Sequence, residues 1–189
     1  MYQALLTDIR FHQLLLNFDD DMADAARCKG CPCGGALHSA RYQRKARGLP
    51  AGLDRQAYCR RSSFCCAAEG CRQRNTPPSL RFLRRRVYLA TMVVLISAML
   101  HGATLPRVVR LSQLLGVSRR TLARWREWWR TTFAQSRFWQ AARAAFMPPV
   151  DQDHLPASLL ERFAGDGAEQ LLALLRFLAP ITGGAVHAS

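Results

Sequence analysis

The residues best suited to chemistry are cysteines at 28, 31, 33, 59, 65, 66 and 71. Structural zinc needs four thiolate or imidazole ligands in a tetrahedron, usually supplied by two short-spaced pairs. The first pair must come from Cys28-Lys-Gly-Cys31-Pro-Cys33-Gly-Gly, the second from Cys66-x4-Cys71. Cys28-x2-Cys31 has the commonest ligand spacing. Against it, Pro32 and the glycines after Cys33 shape a knuckle whose amides can turn toward sulfur. The expected ligands are therefore Cys31, Cys33, Cys66 and Cys71, with Cys28, Cys65 and His38 as substitutes. Cys65 alternates out of register with Cys66, and Cys59 reads as a buried small hydrophobe in a strand. Catalytic zinc would need an open position and a nearby base, and only Asp54 and Glu69 are acidic here. The competing reading is a set of unpaired thiols filling a small core. Residues 1–24 lack a basic region followed by an apolar core, so no secretion signal is expected. Reduced thiols in a cytoplasmic protein follow, and an odd, clustered set then favours metal over disulfides.

A second set of reactive groups is arginine. In residues 111–125, LSQLLGVSRRTLARW, Gly116 reads as the turn of a helix-turn-helix. Leu111, Leu115, Val117, Leu122 and Trp125 would pack around it, with Ser112 at the close approach of the helices. Ser118 would cap the second helix, leaving Arg119, Arg120, Ala123 and Arg124 on the open face. Such a helix enters the major groove and reads bases near its N-terminus. Arginines there suit guanine and phosphate. The alternative is an ordinary helical hairpin with solvated arginines.

Around these residues the chain must supply scaffolding. Residues 2–27 fit one or two short helices, with Asp19, Asp20 and Asp21 as a solvated turn and helix N-terminus, or else laid against the chain's own basic face. Residues 36–42 and 57–64 read as extended segments joined by a turn at 48–52. Ser79 is placed as the N-cap of a long helix, 80–101, whose first turns carry Arg81, Arg84, Arg85 and Arg86. Cations there oppose the helix dipole, so all four, Arg81 with Arg84, Arg85 and Arg86, are assigned to phosphate. Residues 87–100 are nearly all apolar but fall short of the ~20 needed to span a bilayer. Trp125, Trp128, Trp129 and Trp139 read as core anchors, with base stacking as the alternative. Asp151 and Asp153 read as a solvated linker. The leucines of 156–178 form an added core layer or a partner-binding, dimerising helix, and 180–189 is expected to be loose.

The fold class expected is mainly α with a small β zinc ribbon. Its parts are an N-terminal helical segment (1–27), a zinc-ribbon-like subdomain (28–76), a helical helix-turn-helix domain (79–147) and a C-terminal helical tail (148–189). The net charge of +14 comes from 27 Lys and Arg, only two of them lysines, against 13 acids. Residues 28–90 carry +12 and 91–147 carry +8, while both ends carry −3. A positive field so placed points to a polyanion, most simply nucleic acid.

CPCGGALHSARYQRK, SFCCAAEGCRQR, TPPSLRFLRRRVYLA and LLGVSRRTLARWREWW, in that order, resemble zinc-ribbon plus helix-turn-helix DNA-binding proteins associated with bacterial transposable elements. The resemblance covers residues 28–146. It implies a cytoplasmic, non-enzymatic DNA-binding accessory or regulatory protein, with Arg119, Arg120 and Arg124 in the reading positions. Duplex DNA, a transposase or integrase, and a second copy of the chain are the implied partners; a membrane is not. The chain departs from a complete transposase in having no room for a catalytic domain, which would need three carboxylates holding two metal ions. A protein-interaction or membrane-associated module, and a transposase fragment or nuclease, stay open as alternatives.

Overall fold

The computed structural model describes residues 2–45, 49–83, 87–100, 104–114 and 116–186. Of these about 54% are helical, and the strands are short and antiparallel. The fold is mainly α with a small sheet.

Two helices come first, α1 (Tyr2–Leu5) and α2 (Ile9–Lys29). Asp8 caps α2 by accepting from the Arg10 amide at 2.8 Å. Gly30, at φ +73°, ends it. Phe11, His12, Leu15, Asp19 and Ala23 are buried, a single stripe at helical spacing. This is one helix of 21 residues, longer than the short helices expected.

Then come β1 (Leu37–Ser39), β2 (Tyr42–Gln43), α3 (Arg55–Tyr58), β3 (Arg60–Arg61), β4 (Phe64–Cys66) and β5 (Arg74–Thr76). The stretch expected to be extended at 57–64 is thus interrupted. Asp54 caps α3 by accepting from the Gln56 and Ala57 amides, and buried Cys59 sits at its C-cap, not within a strand. β6 (Phe82–Leu83) and β7 (Val87–Tyr88) form a hairpin, and only then does α4 (Leu89–Leu100) begin. The long helix expected from residue 80 is therefore absent over 80–83 and 87–88. Leu80, Arg81, Phe82 and Leu83 are all buried in succession, which suits an extended segment covered on both sides and not an amphipathic helix. Arg84, Arg85 and Arg86 lie outside the described residues, as does Leu115.

The helical elements continue with α5 (Leu105–Leu114), α6 (Arg119–Trp128), a π-helical turn at Trp129–Phe133, α7 (Arg137–Ala142), α8 (Ala157–Leu160) and α9 (Gly167–Leu178). β8 (Gly184–Val186) closes the order. It pairs with β5 in a four-stranded sheet of order β1-β4-β5-β8, so residues 184–186 are ordered where a loose end was expected.

The chain divides into two compact units, and the boundaries differ from the expected segments. A helical unit takes Met1–Thr7, Arg47–Leu49 and Leu89–Leu175. A ribbon unit takes Asp8–Ala46, Pro50–Tyr88 and Arg176–Ser189.

In the helical unit α4 is buried nearly all round, Thr91 and Ser97 included, and packs against α5, α6 and α8. Among the described residues no helix is long and apolar enough to cross a membrane. Trp129, Phe133 and Trp139 are fully buried, with ring centroids 4.7 Å and 5.2 Å apart in sequence order. Trp125 and Trp128 are half-buried. Leu159, Leu160, Leu171, Leu174 and Leu175 are also buried, so these leucines contribute to a core layer.

In the ribbon unit the polar groups are as organised as the apolar ones. Asp19 is 3% exposed and Arg81 2%. The Asp19 carboxylate accepts from Arg81 Nε at 2.8 Å, from the Leu80 amide at 2.6 Å and from the Ser79 hydroxyl. Arg81 also donates to the carbonyls of Tyr58 and Arg60. Buried Arg61 donates to three carbonyls, Pro77 at 2.5 Å, Thr182 at 3.2 Å and Pro78 at 3.3 Å. Burial pulls its guanidinium pKa down, though the Asp19 charge partly offsets this. The Asp19 carboxylate is therefore an internal anchor, not a solvated turn, and Arg81 is its ion-pair partner and not a phosphate ligand.

Candidate metal centre and arginine face

Four sulfurs converge in the ribbon unit. After α2, Gly30 reverses the chain into Cys31-Pro32-Cys33-Gly34, a turn closed by the Gly34 amide donating to the Cys31 carbonyl at 2.8 Å. Gly34 takes φ +80°, a region that suits glycine. β4 delivers Cys66. The turn that follows delivers Cys71, whose amide donates to the Ala68 carbonyl at 3.2 Å. β1 and β4 hold the two loops together through the Leu37–Cys66 pair.

The ligand atoms of Cys31, Cys33, Cys66 and Cys71 all lie within 4.8 Å of one another. Cys33 and Cys66 are 3.4 Å apart, and Cys31 and Cys71 3.8 Å. All are free thiols, far beyond the ~2.05 Å of a disulfide. With metal–sulfur bonds of about 2.3 Å, a tetrahedron has edges of about 3.8 Å, so the cluster has the dimensions of a four-thiolate metal site. Its walls are Ala23, Leu37 and Phe64, with Ala26 and Ala68 beside them.

The electrostatics fit the same purpose. The Gly35 amide is the leading influence on Cys33 and, with the neighbouring thiols, lowers its pKa to about 7. On Cys66 the Ala68 amide pulls the same way, at 3.4 Å, but burial and the other three thiols push the group up to about 12. Cys31 is also raised: the Cys33 amide and the Cys66 thiol favour its thiolate, while burial and the Cys33 and Cys71 thiols oppose it. Three sulfurs thus each have an amide from two residues downstream turned toward them. Four thiolates at this spacing repel one another, a cost that a bound cation would remove as it displaces the remaining protons.

Of the residues considered as substitutes, Cys28 is exposed at the end of α2, His38 is exposed on β1, and Cys65 faces the other side of β4, directed at the Arg72 carbonyl. None joins the cluster. Two further residues stand at the cluster. Gln73 places its side-chain oxygen 3.6 Å from Cys31 Sγ. Ala68 stands two residues after Cys66 as Gly35 stands two after Cys33, and that repeat was a signal available in the sequence.

The other candidate lies in the helical unit. Gly116, at φ +61°, follows α5, and the Val117 amide donates to the Ser112 carbonyl at 2.8 Å. Ser112, Val117 and Leu122 are buried. Ser118 caps α6, accepting from the Thr121 amide at 3.3 Å. Arg119, Arg120, Ala123 and Arg124 are exposed, as are Arg126 and Arg130. Among the described residues none of these arginines forms a salt bridge; Arg124 Nη2 donates to Thr121 Oγ1 at 3.3 Å. Asp151, by contrast, is spent on His154 at 2.7 Å, and that hydrogen bond lowers its pKa.

No family model matches this chain, and no curated protein or solved structure does either.

Proposed function

We propose that this is a DNA-binding protein that acts by recognition and not catalysis, with a structural zinc in its ribbon. α5 and α6 would form a helix-turn-helix, and α6 would enter the major groove. The observation that carries the reading is the exposed face of α6, where Arg119, Arg120 and Arg124 follow a capped N-terminus with no carboxylate partner among the described residues. Arginine in that place suits guanine edges and phosphates. A service to a mobile element, with a transposase or integrase as the protein that performs chemistry, extends the reading from the resemblance given above.

Zinc is favoured for the four-cysteine cluster because four thiolates at tetrahedral spacing suit it and leave no open coordination position for a substrate. In a ribbon this small the binding energy of such an ion contributes to folding.

Selection of bound sequences from random duplex DNA tests the reading directly. The expected result is an enriched motif, and affinity that falls steeply between low and moderate salt. Replacing Arg119, Arg120 or Arg124 by Ala should each cost about 1–3 kcal/mol if the side chain reads a base, or reduce the salt slope by about one if it holds a phosphate. Salt-insensitive binding, or a triple Ala variant that binds as tightly as the parent, would refute it.

A further inference from the structure

The four sulfurs are not equivalent. Cys33 is exposed, Cys71 half-buried, and Cys31 and Cys66 are 7% and 4% exposed. The accessible thiol also has a partner within reach, Cys66 at 3.4 Å. Gly35 lets them approach, since a Cβ there would lie 2.6 Å from Cys66 Sγ and 3.3 Å from Cys33 Sγ. An oxidant arriving from solvent therefore meets Cys33 first, with a resolving sulfur in place.

We propose that Cys33 and Cys66 are a peroxide-reactive pair whose disulfide expels the metal from the ribbon. The Cys33 thiolate attacks one oxygen of hydrogen peroxide or an alkyl hydroperoxide. The O–O bond breaks, hydroxide (or alkoxide) leaves, and Cys33 becomes a sulfenic acid. Cys66 thiolate then attacks that sulfur, the S–O bond breaks, and a second hydroxide leaves as the S–S bond forms. Two protons from solvent neutralise the leaving oxygens. The thiolate pair has lost two electrons, the peroxide has gained them, and the metal keeps its charge. Cys31 and Cys71, at 3.8 Å, are left as the only sulfur ligands and can consume a second peroxide in the same way. The metal-release half rests on the zinc reading above; the sulfur pairing does not.

The test treats the zinc-loaded full chain with graded hydrogen peroxide, follows released zinc with a chromogenic indicator, and maps cross-linked peptides after alkylation of remaining thiols. Expected are Cys33–Cys66 as the first cross-link, zinc released in step with it, and recovery of both thiols and metal binding on adding a dithiol. The Cys28→Ser, Cys65→Ser double variant should behave identically, because neither residue belongs to the cluster. A first cross-link through Cys28 or Cys65, sulfinic acid at Cys33 with no cross-link, or zinc lost without a disulfide would overturn the proposal. The metal-free chain, run in parallel, separates the two readings. If the folded protein never takes up zinc but Cys33 and Cys66 still link first, the metal assignment fails and the pairing stands.

Discussion

Gly35 carries more of the four-cysteine cluster than its missing side chain suggests. Any Cβ at this position would meet Cys66 Sγ at 2.6 Å and Ala68 Cβ at 2.9 Å, neither of which can move without shifting a knuckle. Gly35→Ala is therefore expected to weaken zinc binding by about tenfold or more, on the scale of disturbing groups that orient metal ligands. Competition with a chromophoric chelator measures this; equal affinities would show that the close approach is not needed. The thiols also set a pH dependence. Cys31 and Cys66 are held protonated at neutral pH, Cys66 up to about 12, whereas Cys33 near 7 is partly ionised. Metal binding must displace the protons that remain, so affinity rises with pH. At pH 7 calorimetry in buffers of different ionisation enthalpy should find at least two protons released per ion. Asp19 is the other decisive residue. Its removal leaves Arg81 charged, buried and without its carboxylate, a loss of about 3–5 kcal/mol for a buried pair broken on one side. Urea denaturation of Asp19→Ala tests that figure, and a loss under 1 kcal/mol would mean that the three-way anchor is not holding the ribbon.

Among the elements, the contrast between two serines explains what the sequence disclosed. Ser118 and Ser79 both look like helix caps. Ser118 is one, and its side chain accepts from the Thr121 amide. Ser118→Ala should cost about 1 kcal/mol of helical-unit stability, and a thermal melt of the variant checks it. Ser79 receives the Arg81 and Phe82 amides on its hydroxyl at 3.1 Å each, which is cap chemistry, yet a β-hairpin follows. The difference comes from Asp19, sixty residues away, which takes the Ser79 hydroxyl and the Leu80 amide. Local spacing therefore revealed the cysteine knuckles, the Gly116 turn and the exposed arginines of α6, each decided by residues close in sequence. It could not reveal the Asp19–Arg81 pair or the carbonyl nest of Arg61, because their partners are distant and a triple aspartate ordinarily stays in water.

At the scale of the whole molecule, the ribbon unit is discontinuous. Residues 89–175 of the helical unit stand between Tyr88 and Arg176, and the ribbon resumes only with the end of α9, Thr182 and β8. Thr182 gives its carbonyl to Arg61 and its hydroxyl oxygen to the Ser79 amide, at 2.7 Å, while β8 pairs with β5. A chain ending at Leu178 should keep the helical unit's secondary structure but lose hydrogen-exchange protection at β5 amides. Unchanged protection there would show that β8 is dispensable. During synthesis this arrangement imposes an order. All four clustered cysteines leave the ribosome long before residue 182, and the helical unit has its complete sequence while the ribbon still lacks a strand. Closing that gap requires contacts across more than a hundred residues, the slow kind in folding. The edge of β5 must therefore wait for its β8 partner through the translation of an entire second unit.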